Sequence, residues 1–194
     1  MKLSGPFRKI AALTLVTLPM TGFAVDELSY DYLELRYAES EIDVNPGQID
    51  GDGWQFNGLF EISNSLHLFA GYERFEFDDN VRVSTTVVGG GLALGVSPTT
   101  DIVLRAGFVD GELDDPLFET SDEGFLLSAG VRSLITPDIE LYGNLQTIDF
   151  DDIGEEELMT VGADFYLNDE FSIGPNITWV EDTTTWSIGA KFFF

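Results

Sequence analysis

The final twelve residues, Thr183-Thr-Thr-Trp-Ser-Ile-Gly-Ala-Lys-Phe-Phe-Phe194, constrain the fold more than any other stretch. Read as a strand, Trp186, Ile188, Ala190, Phe192 and Phe194 share one face, and Thr185, Ser187, Gly189, Lys191 and Phe193 share the other. Chain ends in water are usually frayed and polar, so an apolar face running to the terminal carboxylate fits a soluble sheet poorly. It fits a strand that closes a barrel in a membrane, with lipid on one side and a polar interior on the other.

Residues 1–24 read as a secretory signal peptide. Lys2, Arg8 and Lys9 form a basic start, Ile10 to Met20 an apolar core, and Gly22-Phe23-Ala24 a small-x-small cleavage site. That core is too short to span a bilayer, and no later stretch offers about 20 apolar residues in a row. The expectation is an exported chain whose single domain covers residues 25–194.

Three of the nine Lys and Arg fall in the signal peptide, leaving six against all 35 acidic residues. Such an acidic chain cannot be a general nucleic-acid binder, which needs a basic surface. Cysteine is absent, so disulfides and thiolate metal sites play no part. High acidity can also signal disorder, but 13% aromatic residues argue for a folded domain.

Ten alternating segments are expected, near 28–39, 52–62, 66–77, 83–96, 101–111, 124–135, 139–149, 157–167, 171–180 and 184–194. Short connectors such as Ser97-Pro-Thr-Thr100 and Thr136-Pro-Asp138 alternate with mostly longer, acidic ones near 40–51, 78–82, 112–123, 150–156 and 181–183. This is the pattern of an all-β, antiparallel transmembrane β-barrel, with short periplasmic turns and longer acidic extracellular loops. Ten strands are expected, with eight as the alternative if one hairpin is misassigned.

Period-two alternation supports this. In the seventh segment Ile139, Leu141, Gly143 and Leu145 alternate with Glu140, Tyr142, Asn144 and Gln146. The first and third segments change parity, near Tyr32-Leu33 and Arg74-Phe75, and Pro175 calls for a bulge in the ninth. A soluble, lipocalin-like barrel would alternate too, with its apolar face inward. In the assigned register, however, Arg36, Arg105, Arg132 and Lys191 share a face with Glu34, Glu61, Glu73, Glu140 and Asp164. A dry core would bury all nine charges, whereas a membrane barrel can hold them as pairs in its lumen.

The strand Ser29-Tyr-Asp-Tyr-Leu-Glu-Leu-Arg-Tyr37, Asp50-Gly-Asp-Gly-Trp54, His67-Leu-Phe-Ala-Gly-Tyr72 and Gly130-Val-Arg-Ser133 resemble the small proteobacterial outer-membrane β-barrel proteins, the OmpA/OmpX-like superfamily. The resemblance spans residues 25–194. It implies a cell outer-membrane location, contact with outer-membrane lipids and lipopolysaccharide, escort by periplasmic chaperones and insertion by the BAM assembly machinery. The insertion signal would be the C-terminal aromatics, Phe192 and Phe194. That family mixes adhesins, structural anchors and small channels.

Enzymatic barrels resemble one another in using a histidine near the extracellular rim. The only histidine here, His67, follows the short Ser63-Asn-Ser65 turn at the opposite end, so a non-enzyme without a cofactor is expected. The lumen charges fit two readings: a polar plug, or a narrow pore made roomier by inward glycines at 71, 89, 91, 107, 130, 162 and 189. The acidic loops are either solvated or weak divalent-cation sites, with Asp50, Asp52, Asp114 and Asp115 as candidate ligands. Arg74 and Arg82 near the outer rim suit lipopolysaccharide phosphates.

Aromatic residues gather at two levels, as expected at the two lipid headgroup layers. Tyr37, Trp54, Tyr72, Phe108, Phe125, Trp179 and Trp186 fall toward the loop ends. Tyr30, Phe60, Phe165, Phe171, Phe192 and Phe194 fall toward the turn ends. The expected role is structural or surface-interacting, through the acidic loops. A small low-conductance diffusion channel is the alternative, and a soluble secreted β-protein a third.

Overall fold

The computed structural model describes residues 29–44, 47–63, 65–77, 81–115, 118–152 and 154–194; the expected signal peptide lies outside them. Ten strands follow in order: β1 (Tyr32–Val44), β2 (Gly47–Ser63), β3 (Leu66–Phe77), β4 (Val81–Ser97), β5 (Thr100–Asp115), β6 (Phe118–Thr136), β7 (Ile139–Phe150), β8 (Gly154–Asn168), β9 (Phe171–Val180) and β10 (Thr183–Phe193). Each pairs antiparallel with its sequence neighbours, and β10 returns to β1 through a register running from Tyr32↔Phe193 to Ile42↔Thr183. The closed barrel has ten strands, not eight, and no open edge.

Alternation sorts the side chains without a break. Leu35, Leu92, Leu104, Leu145 and Ile188 stand exposed on the outer face, where a soluble protein of this size could not tolerate them. On that face the apolar band ends sharply toward the long hairpins. Tyr37 gives way to Glu39, Trp54 to Asp52, Tyr72 to Arg74, Phe108 to Asp110 and Phe125 to Glu123.

Several expectations need correction. The acidic connectors are mostly strand: Glu41 pairs with Asp50, Asp114 with Glu119, and Ile148 with Glu156. A transmembrane strand needs about 9–11 residues, whereas β4 has 17 and β6 has 19. The hairpins therefore continue beyond the apolar band. There they keep aliphatic residues such as Ile42, Val83 and Leu113 inward and turn most of their carboxylates out. A segment that is polar on one face reads as loop only when strand is equated with membrane span.

The expected parity changes are also absent. Tyr30, Tyr32, Phe75 and Phe77 all point inward, buried, in register with the rest of their strands. Tyr30 thus leaves the turn-end girdle, to which its aromatic character alone had assigned it. Pro175 causes no bulge: β8–β9 pairing lapses at Ala163 and Asp164 and resumes at Phe165↔Ile173 with no offset. The register shifts lie instead beside the four short turns, at Glu61/Ser63, Gly95/Ser97, Leu134/Thr136 and Tyr166/Asn168.

Candidate functional site: the barrel interior and its acidic rim

Eight of the nine expected lumen charges converge in the turn-end half and middle of the barrel, all buried: Glu34, Arg36, Glu73, Arg105, Arg132, Glu140, Asp164 and Lys191. Glu61 does not join them. It has their parity but sits exposed beside the β2–β3 turn, where its backbone N–H donates to Asp31 Oδ1 at 2.8 Å.

Arg36 organises the middle. Its Nε donates to Glu34 Oε1 at 2.8 Å, Nη1 to Ser187 Oγ at 3.1 Å and to the Gly174 carbonyl at 3.3 Å, and Nη2 to the Tyr142 hydroxyl at 2.9 Å. Asp164 lies 3.9 Å from Nη2 and accepts from Lys191, whose ammonium stands 5.2 Å from the ring centres of Tyr32 and Tyr142. A planar guanidinium offers five N–H donors in a fixed fork, and this arrangement engages all three of its nitrogens.

A second cluster lies nearer the short turns. Arg132 is ion-paired with Glu140 and donates to the Tyr166 hydroxyl at 2.8 Å, which in turn donates to Glu140 Oε2 at 2.6 Å. Close by, Arg105 Nε donates to His67 Nε2 at 3.1 Å. Because a guanidinium only donates, His67 Nε2 must carry its lone pair, and the imidazole is neutral. Tyr30 stacks on His67 with ring centres 5.6 Å apart and donates to Asp101 Oδ2 at 3.2 Å. Asp101, fully buried, was missed from sequence because it opens β5 beside a turn, though its parity with Arg105 was available.

Three of the inward glycines lie under bulky lumen side chains. A Cβ on Gly189 would collide with Arg36, one on Gly162 with Tyr142, and one on Gly91 with His67 and Arg105. They seat the bulky lumen side chains. Toward the long hairpins the interior turns apolar: Ala38, Ile42, Phe75, Phe77, Val83 and Leu113 form one packed cluster. Among the described residues the interior is ionic toward the turns, and toward the hairpins it carries apolar clusters beside the small polar side chains of Ser40, Thr85, Thr183 and Thr185.

Outside the apolar band the rim is acidic. Its expected lipopolysaccharide-facing cations are engaged locally: Arg82 contacts Glu76 at 3.2 Å and Asp114 at 3.1 Å, and Arg74 contacts Glu76 at 3.2 Å. Hydrogen bonds from Arg82 and Arg74 hold the exposed Glu76 carboxyl below its ordinary value. The expected metal ligands do not assemble. Asp50 and Asp52 point outward, Asp114 is held by Arg82, and Asp115 takes the opposite parity. No three His, Asp or Glu side chains among the described residues form a metal-binding group. Two grooves indent the rim. One of about 680 Å³ is lined by Tyr37, Glu39, Glu41, Asp50 and Asp52, and one of about 510 Å³ by Phe108, Phe125, Asp110, Glu123 and Asp149.

The loop-end aromatics include two contacting pairs, and those at the turn end form a chain. Tyr37 and Trp54 meet edge to face at 5.3 Å, as do Phe108 and Phe125 at 5.8 Å. Tyr72, Trp179 and Trp186 also stand exposed on the outer face. At the turn end, Phe60, Phe194, Phe192 and Phe171 form a chain of ring contacts at 5.6, 6.2 and 5.1 Å.

No protein-family model matches the chain, and no curated protein matches it. Solved structures do. A bacterial polysaccharide outer-membrane secretin aligns with TM-score 0.51 and 10% identity, over 86% of this chain and 99% of that one. The NanC porin aligns with TM-score 0.50 and 8% identity, over 84% of this chain and all of the porin. Ail, the attachment invasion locus protein of Yersinia pestis, aligns with TM-score 0.42 and 14% identity, over 86% of this chain and all of Ail. At such identities the likeness shows the fold alone, that of an outer-membrane β-barrel.

Proposed function

We propose that this chain is a non-conducting, non-catalytic outer-membrane barrel that acts through its acidic hairpin-end surface. One observation carries the reading: large buried side chains project into the interior from the turn end to the hairpin end. The ion pairs of Arg36, Arg132 and Lys191 block the turn-end half, and the cluster around Phe75 and Phe77 blocks the rest. A pore needs a continuous polar path whose groups release the solute.

The rim supplies what the lumen lacks. Its grooves combine aromatic and carboxylate side chains, a chemistry suited to cationic or amine-bearing partners. Lipopolysaccharide phosphates would meet Arg74 and Arg82, with divalent cations bridging to the surrounding carboxylates. Export by the N-terminal signal, chaperone escort and BAM-assisted insertion guided by Phe192 and Phe194 complete the proposal.

Liposome swelling tests it. Vesicles bearing the refolded protein should swell in small sugars no faster than empty ones, while gel migration that changes on heating confirms folding. Fast, size-limited swelling would return the reading to a diffusion channel like the porin neighbours.

A further inference from the structure

With every carboxyl ionised, the buried charges do not balance. Five carboxylates, Glu34, Glu73, Asp101, Glu140 and Asp164, face four cations, Arg36, Arg105, Arg132 and Lys191. The imbalance is localised at Glu73. Fully buried on β3, it accepts from Gln55 Nε2 at 2.8 Å and pairs with no Lys, Arg or His among the described residues. Arg36, one strand beyond Gln55, directs its donors to Glu34, Ser187, Gly174 and Tyr142 instead.

Three acceptor oxygens on these neighbouring inward positions have no hydrogen-bond partner: Glu73 Oε1, Gln55 Oε1 and Asn57 Oδ1. Gln55 stands directly opposite Glu73, Asn57 follows Gln55 on the same face, and the residue opposite Asn57 is Gly71, which adds no side chain. The amide orientations are fixed by chemistry. Gln55 Nε2 donates to Glu73, and Asn57 Nδ2 donates to Glu34 Oε2 at 3.0 Å. An ionised carboxylate cannot donate, so with Glu34 and Glu73 ionised, flipping either amide would set oxygen against oxygen. The two amide oxygens must therefore point away from those carboxylate contacts. The buried Thr85 stands opposite Glu73 on β4, and beyond the pair along β3 lies the apolar cluster of Phe75 and Val83.

An uncompensated buried charge and unpaired buried acceptors are each costly, and one species relieves both. We propose that Glu73, Gln55 and Asn57 form an internal site for a single small monovalent cation of the sodium class. Their oxygens are hard ligands, and one positive charge restores balance in the lumen. A divalent ion would overcompensate the single surplus carboxylate. A proton on Glu73 would cancel the charge but satisfy at most one of the two amide oxygens.

The test is urea unfolding of the refolded full barrel at fixed ionic strength, with sodium chloride replaced stepwise by N-methyl-D-glucamine chloride. A ligand bound only by the folded state lowers the unfolding constant about tenfold for each tenfold rise in its concentration above the dissociation constant. Wild type should show that dependence. Glu73→Gln should abolish it, and Asn57→Ala should shift it to higher sodium while Ser128→Ala leaves it unchanged. Stability that ignores cation identity in wild type overturns the proposal. If stability then varies with pH, the carboxyl carries a proton; if it does not, water satisfies the oxygens. A sodium dependence that survives in both Glu73→Gln and Asn57→Ala also overturns it.

Discussion

Arg36 stands directly across the β1–β10 ladder from Gly189, and a Cβ on that glycine would lie inside the arginine side chain. The absence of a side chain on β10 lets the guanidinium cross the lumen to Tyr142. Gly189→Ala should therefore cost about 1–3 kcal/mol through overpacking. Outward-facing Gly143 has only ordinary contacts around its Cβ position, so Gly143→Ala should be close to neutral. Urea midpoints of the refolded variants decide this, and equal midpoints would place Arg36 elsewhere.

Removing the cation itself should be worse. Arg36→Met leaves Glu34 buried without its ionic partner and should cost about 3–5 kcal/mol, the usual penalty for breaking a buried pair. Adding Glu34→Gln to that variant should recover much of the loss. A double variant no more stable than the single would mean the pair is not coupled.

The outer face offers a position-dependent test. Leu104→Arg places a cation in the apolar band and should impair folding into lipid by about 2–4 kcal/mol. Glu112→Arg on the same face of the same strand, beyond the band, should stay within about 0.5 kcal/mol. Equal effects on insertion into vesicles would contradict the band's position.

The hairpin clip around Glu76 should respond to pH. Its carboxyl is held below the ordinary 4.5, first by hydrogen bonds from Arg82 and Arg74 and then by their charges. The clip's contribution is therefore complete above the ordinary carboxylate value and fades as pH falls through the lowered one. NMR titration should place the Glu76 midpoint below 4.5, and Arg82→Ala should raise it. A midpoint unmoved by that substitution would show that Arg82 is not the cause.

The barrel was legible because alternation is a local property that lipid makes strict. Leu104 and Arg105 differ so much in transfer cost that one register alone puts both in tolerable surroundings. That contrast also located Arg36, Arg132, Glu140, Asp164 and Lys191 on one face. It weakened where both faces are apolar, so Tyr30, Tyr32, Phe75 and Phe77 were open to misreading: an aromatic ring suits lipid or a packed interior equally. It failed differently at the hairpins, where water beyond the membrane allows carboxylates outward on a continuing strand. Partners were never legible, because alternation gives the face of Arg36 but not which side chains across the lumen reach it. Gly189 and Gly162 likewise read as space until Arg36 and Tyr142 are seen standing over them.

The most direct test of the account uses the chain's lack of cysteine. Single cysteines along β5, at Val103, Leu104, Phe108, Val109, Asp110 and Glu112, are exposed in lipid vesicles to a charged, water-soluble thiol reagent. The account predicts that only positions 110 and 112 react. Positions 104 and 108 should be quenched by a lipid-phase nitroxide when carrying a fluorophore, and 103 and 109 should be silent to both probes. Rapid aqueous labelling at 103 and 109 would reveal a water-filled channel, and the closed, surface-acting barrel would have to be abandoned.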